Sequence, residues 1–143
     1  MIDFKEITKD NFWQVINLEV DERQKEFVAS NVISIAQSKI EPSCIPLAIY
    51  TDNTLVGFLM YGIDPDDGNY WIVRFMIDKK YQRKGYGKES MEKIIKKIKE
   101  DKLYKKIILR VNHNNTEAKE LYLKLGFKFS KKEQDGKEIM ELE

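Results

Sequence analysis

Residues 77–88 read Ile77-Asp78-Lys79-Lys80-Tyr81-Gln82-Arg83-Lys84-Gly85-Tyr86-Gly87-Lys88. They join an apolar strand, Tyr70 to Ile77, to an amphipathic helix with Met91, Ile94, Ile95 and Ile98 at i, i+3, i+4 and i+7. A helix N-terminus exposes unpaired N–H groups and the positive end of the macrodipole. It is therefore a ready anion site. Gly85 and Gly87 remove Cβ atoms just where a phosphate would approach, and Arg83, Lys84 and Lys88 add positive charge nearby. A phosphate-bearing cofactor is the natural inference. The Walker loop does not fit, because Gln82 stands at its first glycine and Glu89 at its Ser/Thr. The dinucleotide fingerprint fits poorly, with Ser90 at its third small position and no early strand before it. On these residues alone, a helix-entry loop with turn glycines stays open as the plain alternative.

Outward from this loop the chain is mostly regular, with only 3 prolines and 7 glycines to interrupt it. Phe4 to Ile7 is a short strand. Asp10 is placed to cap a helix from Asn11, with Phe12, Val15, Ile16 and Val20 on one face. A second helix spans about Gln24 to Ser38 on Val28, Val32 and Ile35, and Pro42 and Pro46 bracket a loop around Cys44. Leu47 to Thr51 and Leu55 to Gly62 are strands joined by the hairpin turn Asp52-Asn53. A turn at Asp64 to Gly68 leads to Tyr70 to Ile77. Ile107 to Val111 is a buried strand of branched residues. A helix follows from about Thr116 to Leu125, with Gly126 at its C′ position. Phe127 to Phe129 and Glu138 to Leu142 close the chain as strands around Asp135-Gly136. The order β-α-α-β-β-β-α-β-α-β-β makes an α/β (α+β) sheet with helices covering it.

At 143 residues the chain is expected to form one domain, residues 1–143, with a core that needs no staples. Its 25 basic and 24 acidic residues leave a net charge of +1, which argues against a nucleic-acid binder. The basic Lys93 to Lys106 region is interleaved with Glu100 and Asp101. One cysteine, Cys44, and one histidine, His113, make neither an internal disulfide nor a structural zinc site, so no metal is expected. The first residues do not read as a signal peptide and no stretch reads as a membrane span, so the expected location is the cytoplasm.

The stretch after the Ile107 to Val111 strand changes the weight of the loop. It contains Asn115, Ala118, Tyr122, Gly126 and Phe127 in the pattern Asn-x-x-Ala-x-x-x-Tyr-x-x-x-Gly-Phe. With Gln82-x-x-Gly85-x-Gly87 before it, the chain resembles the GNAT acetyltransferases over nearly its whole length. The resemblance implies a mixed, mostly antiparallel seven-stranded sheet with four helices and a splayed parallel pair of fourth and fifth strands. It implies acetyl-CoA as cosubstrate. The pantetheine arm would pair with the free edge at Phe75, Met76 and Ile77. The pyrophosphate would lie on the loop of Gln82, Arg83, Lys84, Gly85, Tyr86, Gly87 and Lys88. Asn115 and Ala118 would flank the pantetheine, and Lys124 would sit near the far end of coenzyme A. Tyr122 would be the general acid for the departing thiolate. Ordinary values near 10 for a phenol and 8.5 for a thiol give the expectation of an easy proton transfer.

The acceptor would be a small-molecule amine that must shed a proton. Glu19, Glu22, Glu41 and Asp78 are candidate acids for holding it or taking that proton, with Arg74 beside them; Arg74, Met76 and Asp78 share a strand face by period 2. Trp71 to Asp78, Gly57 to Gly62 and Asp135 to Met140 resemble the bacterial spermine/spermidine acetyltransferase branch, which implies a polyamine. That branch carries an acid where Val73 stands. Val73 can neither hold a cation nor act as a base, so no base is assigned. Another small amine, a peptide N-terminus, or a non-catalytic coenzyme A module are the alternatives. The family also implies a homodimer, through exposed C-terminal strands.

Overall fold

Alternating branched and aromatic residues from Leu47 to Ile77 fold as three consecutive antiparallel strands. In a computed structural model describing all of residues 1–143, these are β2 (Cys44–Thr51), β3 (Thr54–Ile63) and β4 (Tyr70–Ile77). β1 (Ile2–Glu6) lies beside β2. The remaining strands are β5 (Ile107–Val111), β6 (Lys128–Gln134) and β7 (Lys137–Leu142), giving one seven-stranded sheet in the order β1-β2-β3-β4-β5-β7-β6. Only the β4–β5 neighbours are parallel. The helices are α1 (Phe12–Ile16), α2 (Asn31–Ile40), α3 (Tyr86–Lys99) and α4 (Thr116–Lys124). No helix is long and apolar enough to cross a membrane.

The turn between β2 and β3 has Asp52 and Asn53 at φ 47° and 68°. That is the doubly left-handed turn which matches strand twist. α3 buries Met91, Ile94 and Ile98 against Leu59, Ile72 and Leu109 in the larger core. Each such side chain contributes roughly 1.5–3 kcal/mol through burial. The opposite face of the sheet carries a smaller core of Val15, Ala48, Phe58, Met60 and Met76 under α1 and α2.

Several local expectations are corrected. The helix expected over residues 24–38 is divided. A 3₁₀ turn at Glu22–Gln24 comes first, and α2 starts only after Ser30, whose side chain accepts a hydrogen bond from Ile33 N–H. α2 buries Asn31 and Ser34 and leaves Val32 and Ile33 more than half exposed. Asn31 wins the inner face because its amide donates to the Val15 carbonyl at 2.9 Å, ending α1 against α2. α1 is capped at Asn11, not Asp10, and stops at Ile16. Pro46 lies inside β2, at a point where β1 pairs only from Leu47 onward, so the strand is locally an edge and tolerates proline.

Two features of the sheet position the site. β4 pairs with β5 only at Tyr70↔Ile107, Trp71↔Ile108 and Ile72↔Leu109. Directly after this, β4 carries an extra residue against β3: Met60 pairs with Arg74 and Tyr61 with Ile72, so Val73 is bulged. A bulge bends and twists its strand. From Val73 to Ile77 β4 therefore leaves β5, and a wedge opens in the sheet. At the far edge, β6 is bulged between Phe129 and Glu133 and carries Lys128, Lys131 and Lys132. Such features blunt an edge against pairing with another copy.

Candidate functional site

The wedge between β4 and β5 opens onto a cavity of about 510 Å³. Its floor is Phe75, Met76 and Ile77 on the β4 side, and its far wall is α4. The entry loop of α3 forms one end. Here the backbone N–H groups of Arg83 through Lys88 make no hydrogen bond to a backbone carbonyl, while Glu89 N–H closes the first helical turn onto Gly85. Two turn residues are left-handed, Arg83 at φ 64° and Gly85 at φ 85°. Gly85 is thus required by conformation, since open space surrounds its missing Cβ. Gly87 serves a different need. A Cβ there would lie 3.7 Å from the Phe75 ring and 3.8 Å from Ile77, an ordinary contact, so its absence leaves room in the cavity. A row of free donors at a helix N-terminus, with space above it, fits a pyrophosphate. The unpaired edge of β4 fits an extended amide chain.

The sequence motifs converge on this cavity. Gln82, Arg83, Gly85, Gly87 and Lys88 line it from the loop, and Asn115, Ala118, Tyr122 and Lys124 from α4. Lys84 and Tyr86 do not line it. The Lys84 ammonium lies 5.9 Å from the Tyr81 ring, and Tyr86 packs on the larger core. Asn115 caps α4, its side chain accepting from Ala118 N–H at 3.3 Å. The Gln82 amide donates to the Ile77 carbonyl and to Gln24 Oε1, both at 2.9 Å. Gln24 in turn donates to Glu117 at 3.2 Å, and Arg23 pairs with Glu117 at 2.9 Å. The segment after α1 is thereby strapped across the mouth, and Val20, Gln24 and Val28 join the lining. Sequence reasoning missed these three; no local pattern marks a strap whose partners are 58 and 93 positions away.

Tyr122 is 8% exposed and lines the cavity. Burial pushes its pKa up to about 12. The expectation of an easy transfer to a thiolate is corrected. A donor at the ordinary 10 is already weaker than a thiol near 8.5, and burial widens the gap. The raised value secures a neutral hydroxyl that donates a hydrogen bond at any physiological pH.

A narrow cavity of about 120 Å³ continues from this point through the wedge. Phe75, Asn115, Ala118 and Tyr122 line both it and the large cavity. Its other end shares Ile72, Val73 and Arg110 with a second open cavity of about 530 Å³. That second cavity is rimmed by Glu41, Asp64 and Asp66, with Trp71 on its wall. The narrow part is thus a neck between two chambers. Arg74 lines the neck; its guanidinium donates to the Val73 carbonyl at 2.9 Å and to Gln37 Oε1 at 3.1 Å. Its Nε is buried without a partner, and burial followed by the Arg110 charge lowers its pKa. Arg110 and Lys137 complete the neck. Neither was singled out from sequence, although a lone Arg inside the branched strand Ile107 to Val111 was a readable signal.

The candidate acids separate. Glu41 lies on the second cavity, held by Gln37 at 2.8 Å. Glu19 pairs with Lys79 at 2.9 Å and Glu22 with Lys25 at 2.7 Å, both at the surface and outside the three cavities. Asp78 is buried and clasps backbone: it accepts from Lys80 N–H at 2.9 Å and Glu19 N–H at 3.0 Å. Its two oxygens hold the chain together and do not reach the chambers. The Cys44 thiol, on the second cavity, is pushed up by burial and then by the Glu41 charge, which keeps it protonated.

Known proteins resemble this chain in sequence and in fold. The family described as "Acetyltransferase (GNAT) family" matches residues 12–127. The chain is 34% identical over 135 residues to "Probable spermine N(1)-acetyltransferase" of Bacillus subtilis subsp. natto (strain BEST195), covering 90% of this chain and 89% of that one. It is 33% identical over 135 residues, with the same coverage, to "Spermine/spermidine N(1)-acetyltransferase" of Bacillus subtilis (strain 168). The solved PaiA N-acetyltransferase of Thermoplasma acidophilum, in complex with coenzyme A, superposes with a TM-score of 0.69 at 21% identity over 99% of this chain and 98% of that one.

Proposed function

The chain belongs to the GNAT acetyltransferase family and is an acetyl-CoA-dependent N-acetyltransferase, and we propose that it acetylates a primary amine of a polyamine such as spermidine or spermine. The observation that carries this reading is the neck at Tyr122, which joins a chamber built for a pyrophosphate and an amide arm to a chamber rimmed by carboxylates. A polyamine has several ammonium groups. Glu41, Asp64 and Asp66 offer charge of the opposite sign along the outer chamber, and Trp71 offers an aromatic face to a cation. The similarity to two proteins named for spermine supports the same reading.

In this reading each part of the site has one task. The N–H groups of Arg83 to Lys88 and the side chains of Arg83 and Lys88 hold the pyrophosphate. Lys124 meets the far end of the cofactor. The open edge at Phe75 to Ile77 takes the pantetheine amides as a short added strand. That edge fixes the thioester at the neck, where a β4 N–H near Ile77 polarises its carbonyl. Tyr122 donates a hydrogen bond to the sulfur and supplies its proton as the C–S bond breaks. It recovers a proton from the nitrogen that has attacked. Attack is direct, so neither the protonated Cys44 nor the surface His113 is needed as a nucleophile.

The reading is tested by following release of free coenzyme A from acetyl-CoA with a panel of amines. Spermidine and spermine should be turned over with higher kcat/KM than an amino sugar or a peptide N-terminus. Preference for one of the latter overturns the polyamine assignment. Tight coenzyme A binding with no turnover of any amine overturns the enzymatic reading.

A further inference from the structure

The neck contains three cations and no carboxylate. Arg74 reaches it from β4, Arg110 from β5 and Lys137 from β7, and the remaining lining is apolar or neutral, including Asn112, Asn115 and Tyr122. The acids near it stand outside. Asp135 pairs with Arg110 at 2.9 Å from the exposed turn before β7, and Glu41, Asp64 and Asp66 line only the outer chamber. This is the reverse of what a base-catalysed deprotonation of an ammonium would require, and it sits where the acceptor nitrogen must meet the thioester.

Resting on the amine-acetylating reading above, the geometry points to an electrostatic route: the cations Arg74, Arg110 and Lys137, not a carboxylate base, bring the acceptor amine to its neutral form in the neck. A like charge disfavours an ammonium at close range, the more so where water is scarce. The same field acts on the protein's own groups. Lys137 is lowered first by burial, then by Arg110 and Arg74, with Asp135 opposing. Two chambers then divide the work. The acids outside hold the ammonium groups that stay charged, while the cations inside admit the one nitrogen that has lost its proton. That proton leaves to water in the open outer chamber. The neutral nitrogen forms its bond to the acyl carbon, the C–S bond breaks, and the second nitrogen proton reaches sulfur through Tyr122. The products are the amide, the free thiol and one proton released to solvent. The bulged Val73 needs no acidic side chain for this.

The test is the pH profile of kcat at saturating acetyl-CoA and spermidine, for the native protein, Lys137→Gln and Lys137→Arg. The kcat profile reports groups in the complex. Lys137→Gln should move the acidic limb up by about one pH unit, the scale expected for one like charge nearby. Lys137→Arg should restore it. A second acceptor, an α-amino amide with an ordinary pKa near 8, should carry the limb down with it, since the titrating group is the acceptor. A limb that ignores both Lys137→Gln and the change of acceptor overturns the proposal and assigns the titration to a residue acting as base. A rise in KM confined to carboxylate-bearing amines, with the limb fixed, also overturns it and makes the cations an anion clamp. Absence of turnover with every amine is a different result, which removes the acetyltransferase reading itself.

Discussion

Replacing Gly87 by alanine should make the protein more stable and a poorer binder of coenzyme A. The two effects separate because a Cβ at this position clashes with no protein atom yet takes up room in the cavity. The added methyl would meet Phe75 and Ile77 at 3.7 and 3.8 Å, ordinary contact distances, so no repacking is required. Gly87 lies in the first turn of α3 and has no left-handed φ. Alanine gains up to about 1 kcal/mol over glycine in a helix. For a chain of 143 residues that is a rise of about 2–5 °C in Tm. Coenzyme A pays in the other direction. A methyl in the pyrophosphate space holds the phosphates off the N–H row, and each charge-assisted hydrogen bond is worth about 1.5–3 kcal/mol. Losing one or two gives about 2.7 kcal/mol, or roughly 100-fold in Kd. Gly87→Val should deepen the loss to undetectable binding. Thermal unfolding without ligand reads the first effect, and isothermal titration with coenzyme A reads the second. A folded Gly87→Ala protein that binds coenzyme A with native affinity refutes the assignment of this loop to the phosphates.

Tyr122→Phe should lower kcat about 10²-fold or more while leaving the Kd for acetyl-CoA within about twofold, as measured by coenzyme release and titration; full activity of the Phe protein removes the acid role. Tyr122 and Tyr70 are both pushed up to about 12, Tyr122 by burial and Tyr70 first by the hydrogen bond that its hydroxyl donates to Asp101. Between about pH 10 and 12 the unfolded chain has already released these two protons and the native chain has not, so stability should fall as pH rises through that window. Ultraviolet titration should show late-titrating phenols, and one fewer of them in Tyr122→Phe. Asp78→Ala should cost about 3 kcal/mol in denaturant unfolding, because it strands the N–H groups of Lys80 and Glu19 beside a buried gap. A cost under about 0.5 kcal/mol, the range of an ordinary surface change, would remove its clasp role.

Much of this was legible because it is local. The branched run Ile107 to Val111, the spacing of Met91, Ile94 and Ile98, and the Asp52-Asn53 turn each state their conformation within a few residues. The cofactor chamber was legible for a related reason. Gln82, Gly87, Asn115 and Tyr122 lie in two short segments that the parallel crossover brings together. What escaped depends on distant partners. Val28, Val32 and Ile35 have helical spacing, but Asn31 faces inward because the Val15 carbonyl awaits it, and Val32 turns out to solvent. The neck escaped because its charges come from three strands, 36 and 27 positions apart in the chain (110 − 74 and 137 − 110). Asp78 read as a substrate acid because its residue type permits that, and only its two backbone partners reveal a structural use.

The parting of β4 from β5 also bears on how the protein avoids its neighbours. An ordinary open sheet has two outer rims that can recruit a stray chain. This one has two more in its middle, facing each other after only three paired residues. The outer rim at β6 is defended by lysines and a bulge. The inner rims are covered instead: α4 and the loop from Arg83 to Lys88 line the gap, and the strap held by Arg23 and Gln24 crosses to Glu117 on α4. The gap proposed to take the cofactor arm is thus also a place where the sheet must guard itself against a stray strand.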